Sequence, residues 1–591
     1  MTIQQHANNF QVSVAGTKLS DQLEAELISV FVDDSLHVPD MFQLTFRDQR
    51  RAIVADAGLL IGAKVAIKVF NNEFTAGVKL IEGEITSLEA EYDPQGSFVT
   101  VRGLDMSHRL FRGRRTKAFK NASYSDVVRK VLGDAGVPVG KIDSSSPVFP
   151  LVSQTAANDW QFLQGLAREL GFQIGCVDGK FNFTKAPAAS TGPKPGSSSS
   201  DDPLQLVMGQ NLLRVRTSVS AAEQVTEVQV RGWDSKNKQA VVGVAPAKTG
   251  SAAIGVTPAQ LAGFFGSPKF AFTNAPFASQ GEAQSVAEAM ADQLASAFVE
   301  MEGLAHGNPK LRAGTAVSLG LAGAPFDGKY VLTNTRHSYT PDDGYTVRFN
   351  VSGAQERSLL SLVNGNGGGS GGGGGGGPNN RVFGVVVGVV TKNDDPEKLG
   401  RVQVQFPWLD ADYESDWARV AQMGAGPGRG MVILPEINDE VLVAFEHGDT
   451  RRPYVLGGLY NGKDKPELGN AGDLFSSGKV NRRGFISSQG HKIVFLDASG
   501  KKGVLVATKG NKYRLSLNET KATIRIVSDG KLEIEAKQDV MITTKAKVTI
   551  DATQDITAST VAKMDFKAKG GITIDGSPGL VEVKGSIIKL N

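Results

Sequence analysis

Apolar residues in the last fifth of the chain recur with a period of eight. Between Ile524 and Ile574 they come as pairs at positions i and i+2, and each pair returns eight residues later. A spacing of two places both members on one face of a β-strand, and the reset predicts a short strand, a bend and another short strand. Such units cannot bury their apolar face alone, so they must stack into a rod. We predict that the core of this rod is formed by Ile524, Ile526, Leu532, Ile534, Val540, Ile542, Val548, Ile550, Ile556, Met564, Phe566, Ile572 and Ile574.

The rest of the chain has mostly the short alternating runs that are typical of strands. These runs fill residues 8–110 and resume from 212 to about 351, and they are separated by Gly, Pro and Asp. Helical periodicity is confined to three segments, at 125–132, 159–170 and about 280–299. A polar segment at 188–202 predicts a flexible loop. The chain is therefore predicted to be mainly β with small helical insertions.

Residues 381–462 have the pattern of a compact all-β unit. Five or six short strands in about 80 residues predict a small closed barrel of the OB type. One of these strands is predicted at 431–434. The preceding segment, 365–377, contains eleven glycines and is a linker by composition. It includes a formal G-x-S-x-G match, but poly-glycine provides neither the strand nor the helix that a nucleophile elbow needs.

Composition excludes several classes of function. The 591 residues include 64 basic and 61 acidic side chains, a formal charge of +3, which gives no electrostatic argument for binding nucleic acid or anionic membrane. Cys176 is the single cysteine, and we predict that it is a buried apolar residue. The N-terminus lacks a signal peptide, and no window reaches the ~18 apolar residues of a membrane helix. We expect synthesis and folding in the cytoplasm.

The sequence contains no convincing catalytic or metal-binding pattern. None of the seven histidines is paired at a metal-ligand spacing, and the phosphate-binding and zinc-protease motifs are absent from the sequence. Acidic pairs such as Asp394-Asp395 stand in turn contexts, where solvated residues are far commoner than catalytic carboxylates. We therefore predict no catalytic residues, no cofactor and no metal, and we predict that the protein is not an enzyme.

Three stretches carry a resemblance to a known family. Residues 400–460 closely resemble the OB-fold baseplate module of VgrG spike proteins and contractile-phage spikes. Residues 158–172 and 309–349 look like parts of the hub of the same proteins. The signature residues of the OB stretch are Gly400, Arg401, Phe406, Pro407, Trp408, Trp417, Ala418, Arg419, Gly448, Asp449, Arg452, Pro453, Gly457 and Gly458.

The resemblance implies a fused hub and spike that assembles as a homotrimer. It implies β-barrel hub domains at 1–120 and 206–362, with a helical and mixed insertion at 121–205. A glycine-rich linker at 363–380 and the OB barrel at 381–465 would follow. The C-terminal needle, 466–591, would be a trimeric intertwined β-helix with eight-residue repeats.

The resemblance also implies partners and a mechanical role. The trimer would nucleate the inner tube and baseplate of a contractile particle through its hub, and its needle would contact and puncture a target membrane. A PAAR-like protein is the expected cap of the needle, because the iron-binding H-x-H pair of some tips is absent, and effector cargo is compatible with this role. We favour an extracellular injection particle over a type VI secretion system or a phage. The alternatives are a spike-borne cell-wall hydrolase and a repeat-based adhesin rod.

Overall fold

The computed structural model describes residues 9–70, 76–354, 381–468 and 474–589. The chain forms two compact units, Met1–Lys465 and Pro466–Asn591. The predicted glycine-rich linker at 363–380 lies outside the described residues. The other domain boundaries stay predictions. One sheet contains strands from both predicted hub barrels, 1–120 and 206–362.

The first part of the large unit is a strand-rich segment with two short helices. Alternation explains the strands, since Val65, Ile67 and Val69 are fully buried while their neighbours are not. The elements are β1 (Asn9–Val14), β2 (Thr17–Lys18), α1 (Asp21–Ala25), β3 (Leu27–Ser35), β4 (Met41–Arg47), α2 (Ile53–Asp56), β5 (Lys64–Phe70), β6 (Val78–Asp93) and β7 (Gly96–Asp105).

A helical insertion with its own core follows. Helix α3 begins at a capping box formed by Ser123 and Asp126 and ends at Gly136, whose φ of 63° suits a left-handed cap. Trp160 and Phe162 of α4 are fully buried among its strands. The elements are β8 (Arg115–Ala122), α3 (Tyr124–Ala135), β9 (Val139–Ile142), β10 (Phe149–Ala157), α4 (Asp159–Leu170), β11 (Phe172–Val177) and β12 (Lys180–Lys185).

The third part returns to strands around one long helix. The segment predicted as a flexible loop, 188–202, begins with a short 3₁₀ turn in which Ala189 is completely buried. The elements are β13 (Gln205–Val207), β14 (Leu212–Val219), β15 (Glu227–Asp234), β16 (Gln239–Pro246), β17 (Ala252–Ile254), α5 (Pro258–Gly263), β18 (Lys269–Phe272), α6 (Gln280–Ser296), β19 (Val299–His306), β20 (Ala316–Gly320), β21 (Gly328–Val331), β22 (Asn334–Thr340) and β23 (Gly344–Val351).

One eleven-stranded sheet joins the first and third parts. Its strand order is β14-β19-β23-β22-β3-β4-β7-β6-β5-β1-β2, and β22 pairs antiparallel with β3. Arg336 of β22 donates to Asp33 of β3 at 2.7 Å, and Arg312 contacts Asp34. The two predicted hub barrels, 1–120 and 206–362, therefore contribute strands to one sheet. We call residues 9–354 the hub.

Residues 381–465 form the OB barrel. The five-stranded sheet has the order β25-β24-β29-β30-β26, and a small hairpin of β27 and β28 lies beside it. The strand predicted at 431–434 is absent, because Met431 bonds only back to Gly424 and Pro435 ends the segment. The strands are β24 (Val385–Lys392), β25 (Gln403–Gln405), β26 (Arg419–Val420), β27 (Ala425–Gly426), β28 (Arg429–Gly430), β29 (Glu440–Phe445) and β30 (Pro453–Gly458).

The small unit begins with strands and ends without them. An antiparallel meander of β33 to β37 is followed by extended chain that has no assigned strand up to residue 589, the last one described. The strands are β31 (Phe475–Ser476), β32 (Lys479–Val480), β33 (Arg482–Ile486), β34 (Lys492–Leu496), β35 (Gly503–Ala507), β36 (Tyr513–Asn518) and β37 (Thr523–Ser528).

Candidate functional surfaces: the hub–OB junction and the needle

A partly buried arginine, with 16% of its side chain exposed, joins the OB barrel to the hub. Arg451 pairs with Asp449 through Nη2 and Oδ2 at 2.9 Å, and its Nη1 donates to the phenolic oxygen of Tyr124 at 3.2 Å. Its Nη2 also lies 3.8 Å from Oε1 of Glu169. Tyr124 in turn donates its hydroxyl proton to Glu169. We call Tyr124, Glu169, Asp449 and Arg451 the junction network.

Local sequence explains why Arg451 projects from the barrel. The turn between β29 and β30 passes through Gly448, whose φ is 78°, and the carboxylate of Asp449 accepts the backbone N–H of Arg451 at 2.9 Å. The backbone N–H of Arg452 closes the turn on the Asp449 carbonyl at 2.9 Å. The signature residues Gly448 and Asp449 thus shape the loop that presents Arg451.

Burial shifts the ionisation of the junction network. Burial raises the pKa of Glu169 to about 7, against the opposing charge of Arg451. Burial also acts to raise the pKa of Asp449, but the charge and the hydrogen bonds of Arg451 together outweigh it and the pKa is lowered. The pKa of Tyr124 is raised well above its usual value by burial and by the charge of Glu169. Asp449 therefore stays ionised beside Arg451 at neutral pH, whereas Glu169 changes its protonation state near pH 7.

Further polar contacts surround this network. Tyr413 and Ser153 share a hydroxyl hydrogen bond of 2.7 Å, and Thr450 meets Thr155 at 3.2 Å. Lys120 of β8 donates to Glu414 at 2.6 Å. Other cross-junction contacts are Arg452 with Glu282 at 3.6 Å, Arg381 with the carbonyl of Asn274 at 2.9 Å and Lys236 with Glu397 at 3.5 Å. The hub and the OB barrel therefore meet through specific polar pairs.

The other signature residues build the barrel itself. Arg401 donates to Asp395 through Nε and Nη2 at 3.0 and 2.7 Å, which ties down the loop that ends at Gly400, where φ is 71°. Phe406 is fully buried against Phe445, with ring centroids 5.3 Å apart. The positions of the rest are Ala418 buried and hydrogen-bonded to Val402, Trp408 half-exposed with its Nε1 donating to Val387, Trp417 half-buried, Arg419 over the ring of Tyr454, Pro453 buried opposite Phe445, Pro407 exposed, and Gly457 and Gly458 in β30.

Sequence reasoning missed most of the junction network. Tyr124, Glu169, Arg451 and Tyr413 were not predicted, although Asp449 and Arg452 were. A signal for Glu169 exists, because it follows Phe162 and Leu166 on one face of α4 and is a carboxylate on an apolar stripe. No comparable local signal marks the contact of Arg451 with the hub, since its hub partners Tyr124 and Glu169 lie about 300 residues away.

In the small unit, the meander presents one apolar face to solvent. Phe485, Ile493, Val506 and Leu515 stand opposite one another on successive strands, so their side chains share a face. A second row contains Phe495, Val504 and Leu517. Both rows end on β37 at Ile526 and Ile524, the first predicted pair of the needle. Val504 is half-buried, and the other side chains of these rows are 40–50% exposed before β37.

The octad pattern continues as extended chain whose apolar pairs stay exposed among the described residues. The backbone bends at 529–530, 537–538, 545–546, 553–554, 561–562 and 569–570, which is an eight-residue period. All thirteen predicted core residues are 44–76% exposed. Within the described residues 530–589, no backbone hydrogen bond joins two parts of the chain. From here on, the name needle is kept for the part of the predicted 466–591 segment that carries the octads, residues 524–589.

Two kinds of site are absent from the described part of the chain. Among residues 9–70, 76–354, 381–468 and 474–589, no three His, Cys, Asp or Glu side chains are grouped as metal ligands would be. Within those same ranges, none of the helices combines the length and hydropathy that crossing a bilayer requires. Cys176 is buried, as predicted, and burial raises the pKa of its thiol.

Comparison with known proteins places these surfaces in a family. Residues 386–460 match the model of the type VI secretion system/phage-baseplate injector OB domain, and residues 4–341 match the Alg8 N-terminal domain. The spike protein VgrG1a of Pseudomonas aeruginosa is 28% identical over 146 residues, which are 24% of this chain and 23% of that protein. VgrG4b of the same organism is 40% identical over 92 residues, 14% of this chain and 11% of that protein.

The alignments thus span less than a quarter of the length of these curated relatives. The solved VgrG chain of a Francisella PdpA-VgrG complex shares the fold, with a TM-score of 0.53 and 9% identity, over 89% of both chains. The chain therefore belongs to the family of the Alg8 N-terminal domain, carries an injector OB domain, and is a VgrG-like spike protein.

Proposed function

We propose that this protein is the homotrimeric central spike of a contractile injection machine. One observation carries the proposal. From 530 to 589 the needle is extended chain with evenly spaced bends and exposed apolar pairs, and no backbone hydrogen bond joins two parts of this described stretch. Unpaired backbone and about thirteen exposed large apolar side chains are costly in water, so the needle needs other chains to complete it.

Three copies supply what one copy lacks. In a three-sided prism, each octad contributes one strand to a face, and strands of different chains pair above and below it. The apolar pairs then fill the axis of the prism. The exposed rows of the meander end on Ile524 and Ile526, so they continue this apolar core towards the N-terminal end of the small unit. Closed pairing leaves few free edges and few routes to local unfolding, which suits a part that bears load.

The mechanism that follows is mechanical, without catalysis. The hub nucleates the inner tube and baseplate, the junction network holds the barrel on the hub, and the needle concentrates force at the target envelope. Inner-tube and baseplate proteins, a tip-capping PAAR-like protein and effector cargo are the proposed partners, and the particle is proposed to be extracellular. Curated relatives named as type VI secretion spike proteins and the PdpA complex of the solved neighbour support this class of machine.

The solution mass tests the proposal directly. Light scattering on the purified full chain, after size exclusion, is expected to give three times 62.5 kDa and to hold that value on dilution. A monomer would contradict the three-chain needle. Deletion of the needle in a particle-producing strain should then leave sheath-and-tube particles that assemble but no longer kill or label target cells. Unchanged delivery by such particles would contradict puncture by the needle.

A further inference from the structure

The outer surface of the needle carries an ordered pattern of charge. The core pair of each octad occupies its first and third positions, so the second, fourth and eighth positions lie on the opposite face of the extended segment. The eighth positions of five successive octads alternate strictly in sign, and we call them the charge column. They are Lys531, Asp539, Lys547, Asp555 and Lys563.

Among the described residues, no ion pair joins two column residues within one chain, although Lys531 pairs with Glu533 and Lys563 with Asp565. Lys531 and Lys563 are 79% and 78% exposed. In the described residues 530–589, ion pairs join only residues two positions apart, such as Lys563 with Asp565 at 2.7 Å. Neighbours along the column are eight residues apart and remain separate in the single chain.

We propose that the charge column sets the register in which three copies of this chain wind into the needle. This inference rests on the proposed three-chain prism. In that arrangement a chain moves to the next face with each octad, so the strand beneath any octad is the following octad of another chain. Column residues one octad apart then lie ~4.7 Å apart on different chains.

Counting the outward pairs separates the correct register from a slipped one. At a shift of one octad, six pairs are opposite in sign and none is alike: four in the column, Arg525 with Glu533, and Lys567 with Asp575. At a shift of two octads, four pairs are alike and one, Asp551 with Lys567, is opposite. The alike pairs are Lys531 with Lys547, Asp539 with Asp555, Lys547 with Lys563, and Glu535 with Asp551.

The charges act on register because the core cannot. Every octad presents a similar apolar pair, so a chain that slips by eight residues keeps most of its buried contacts. Exposed ion pairs add little stability individually, but like charges stacked in a column penalise the wrong alignment. At the bends, Lys537 and Lys545 are one pair of like charges when chains are shifted by one octad. They stand at corners of the prism, where side chains diverge into solvent.

A variant with the same composition tests the proposal in the full chain. Asp539→Lys with Lys563→Asp keeps the net charge but changes the column to three Lys followed by two Asp, which creates three like pairs and keeps one opposite pair. We expect the unfolding temperature of the trimer to fall by roughly 5 °C or more at low salt. In 1 M salt, where the Debye length is about 3 Å, the difference should largely disappear.

The matched control inverts all five signs and keeps the alternation: Lys531→Asp, Asp539→Lys, Lys547→Asp, Asp555→Lys and Lys563→Asp. It loses the pairs within one chain but retains those between chains, so its unfolding temperature should lie within about 2 °C of the parent. Equal melting of the rearranged column and the parent, in a protein that is trimeric, would overturn the register proposal and leave the proposed function standing. A monomeric parent would overturn both.

Cysteine pairs read the register itself. Oxidation of Asp539→Cys with Lys547→Cys should produce a covalent trimer, because adjacent strands place the two Cα atoms within the range of a disulfide. Asp539→Cys with Asp555→Cys, two layers apart at ~9.5 Å, should not. Covalent trimer in the second variant but not in the first would show the other register and overturn the proposal.

Discussion

The hydroxyl of Tyr124 lies 3.2 Å from Nη1 of Arg451, although 327 residues separate them in the chain. This contact connects the start of a hub helix to the tip of a turn in the OB barrel. Glu169 and Asp449 complete it with two carboxylates around one guanidinium. Tyr124 and Glu169 are buried and Arg451 and Asp449 are 16% exposed, so each charged member depends on the others for compensation.

Replacing Arg451 should loosen the junction. Arg451→Met leaves the partly buried carboxylate of Asp449 without its counter-charge, and removing one partner of a buried ion pair costs up to about 3–5 kcal/mol. We expect a lower midpoint for the first transition in urea unfolding. Arg429→Met, at an exposed turn of the same barrel, is the control and should change the midpoint little. Equal midpoints for both variants would contradict a structural role for the network.

The junction should also respond to pH with a defined sign. The pKa of Glu169 is raised to about 7 in the folded protein, from 4.5. The folded state therefore holds this proton more tightly than the unfolded state, and stability falls as pH rises from about 4.5 to about 7. The full effect is on the order of 3 kcal/mol.

Glu169→Gln, which cannot ionise, should remove this contribution. The difference in unfolding free energy between the parent and the variant, measured at intervals from pH 4.5 to 8, isolates Glu169 from groups common to both. We expect the difference to move in favour of the variant with rising pH and to level off above about 7. A flat difference over this range would contradict the raised pKa.

The needle core should be sensitive to polarity on one face of its strands. Val548→Ser with Ile550→Ser places hydroxyls on the predicted axis in all three chains, and each lost side chain costs about 1.5–3 kcal/mol of burial per chain. We expect loss of trimer by light scattering. Thr549→Ala, between the two and on the opposite face, should stay trimeric. Loss of trimer in the control alone would reverse the assigned faces.

The loop from 393 to 401 should depend on one carboxylate. Asp395 accepts hydrogen bonds from Arg401 and from backbone N–H groups of the same loop, and the bonds from Arg401 lower the pKa of that carboxyl. Asp395→Ala should lower the stability of the barrel by about 1–3 kcal/mol, because several donors lose their acceptor. The neighbouring exposed Asp394→Ala is the control. Thermal unfolding followed by tryptophan fluorescence compares them, since Trp408 and Trp417 report on this barrel.

The pH dependence of that loop runs opposite to that of Glu169. A lowered folded pKa means that the stabilisation by Asp395 is complete above about pH 4 and is lost as the solution becomes more acid. The difference in unfolding free energy between the parent and Asp395→Ala should therefore be constant at neutral pH and become smaller below pH 4. A gap that widens in acid would contradict this assignment.

Local patterns in the sequence determined the elements with strong periodicity. The helix predicted at 159–170 has those bounds in the structure, because its apolar stripe and its glycine stop are local signals. The predicted eight-residue period reappears as evenly spaced bends in the needle. The prediction of a strand at 431–434 was wrong, because alternation alone does not supply a partner strand, and within the described residues this segment forms no β-ladder.

Only the tertiary structure decided what lies between distant segments. The pairing of β22 with β3, which makes one sheet of two predicted hub domains, depends on register between strands 300 residues apart. The junction network likewise depends on how the barrel docks, and nothing near Arg451 in sequence indicates Tyr124 or Glu169. Periodicity reports which face of an element is buried, whereas the partner that covers that face is a property of the assembled fold.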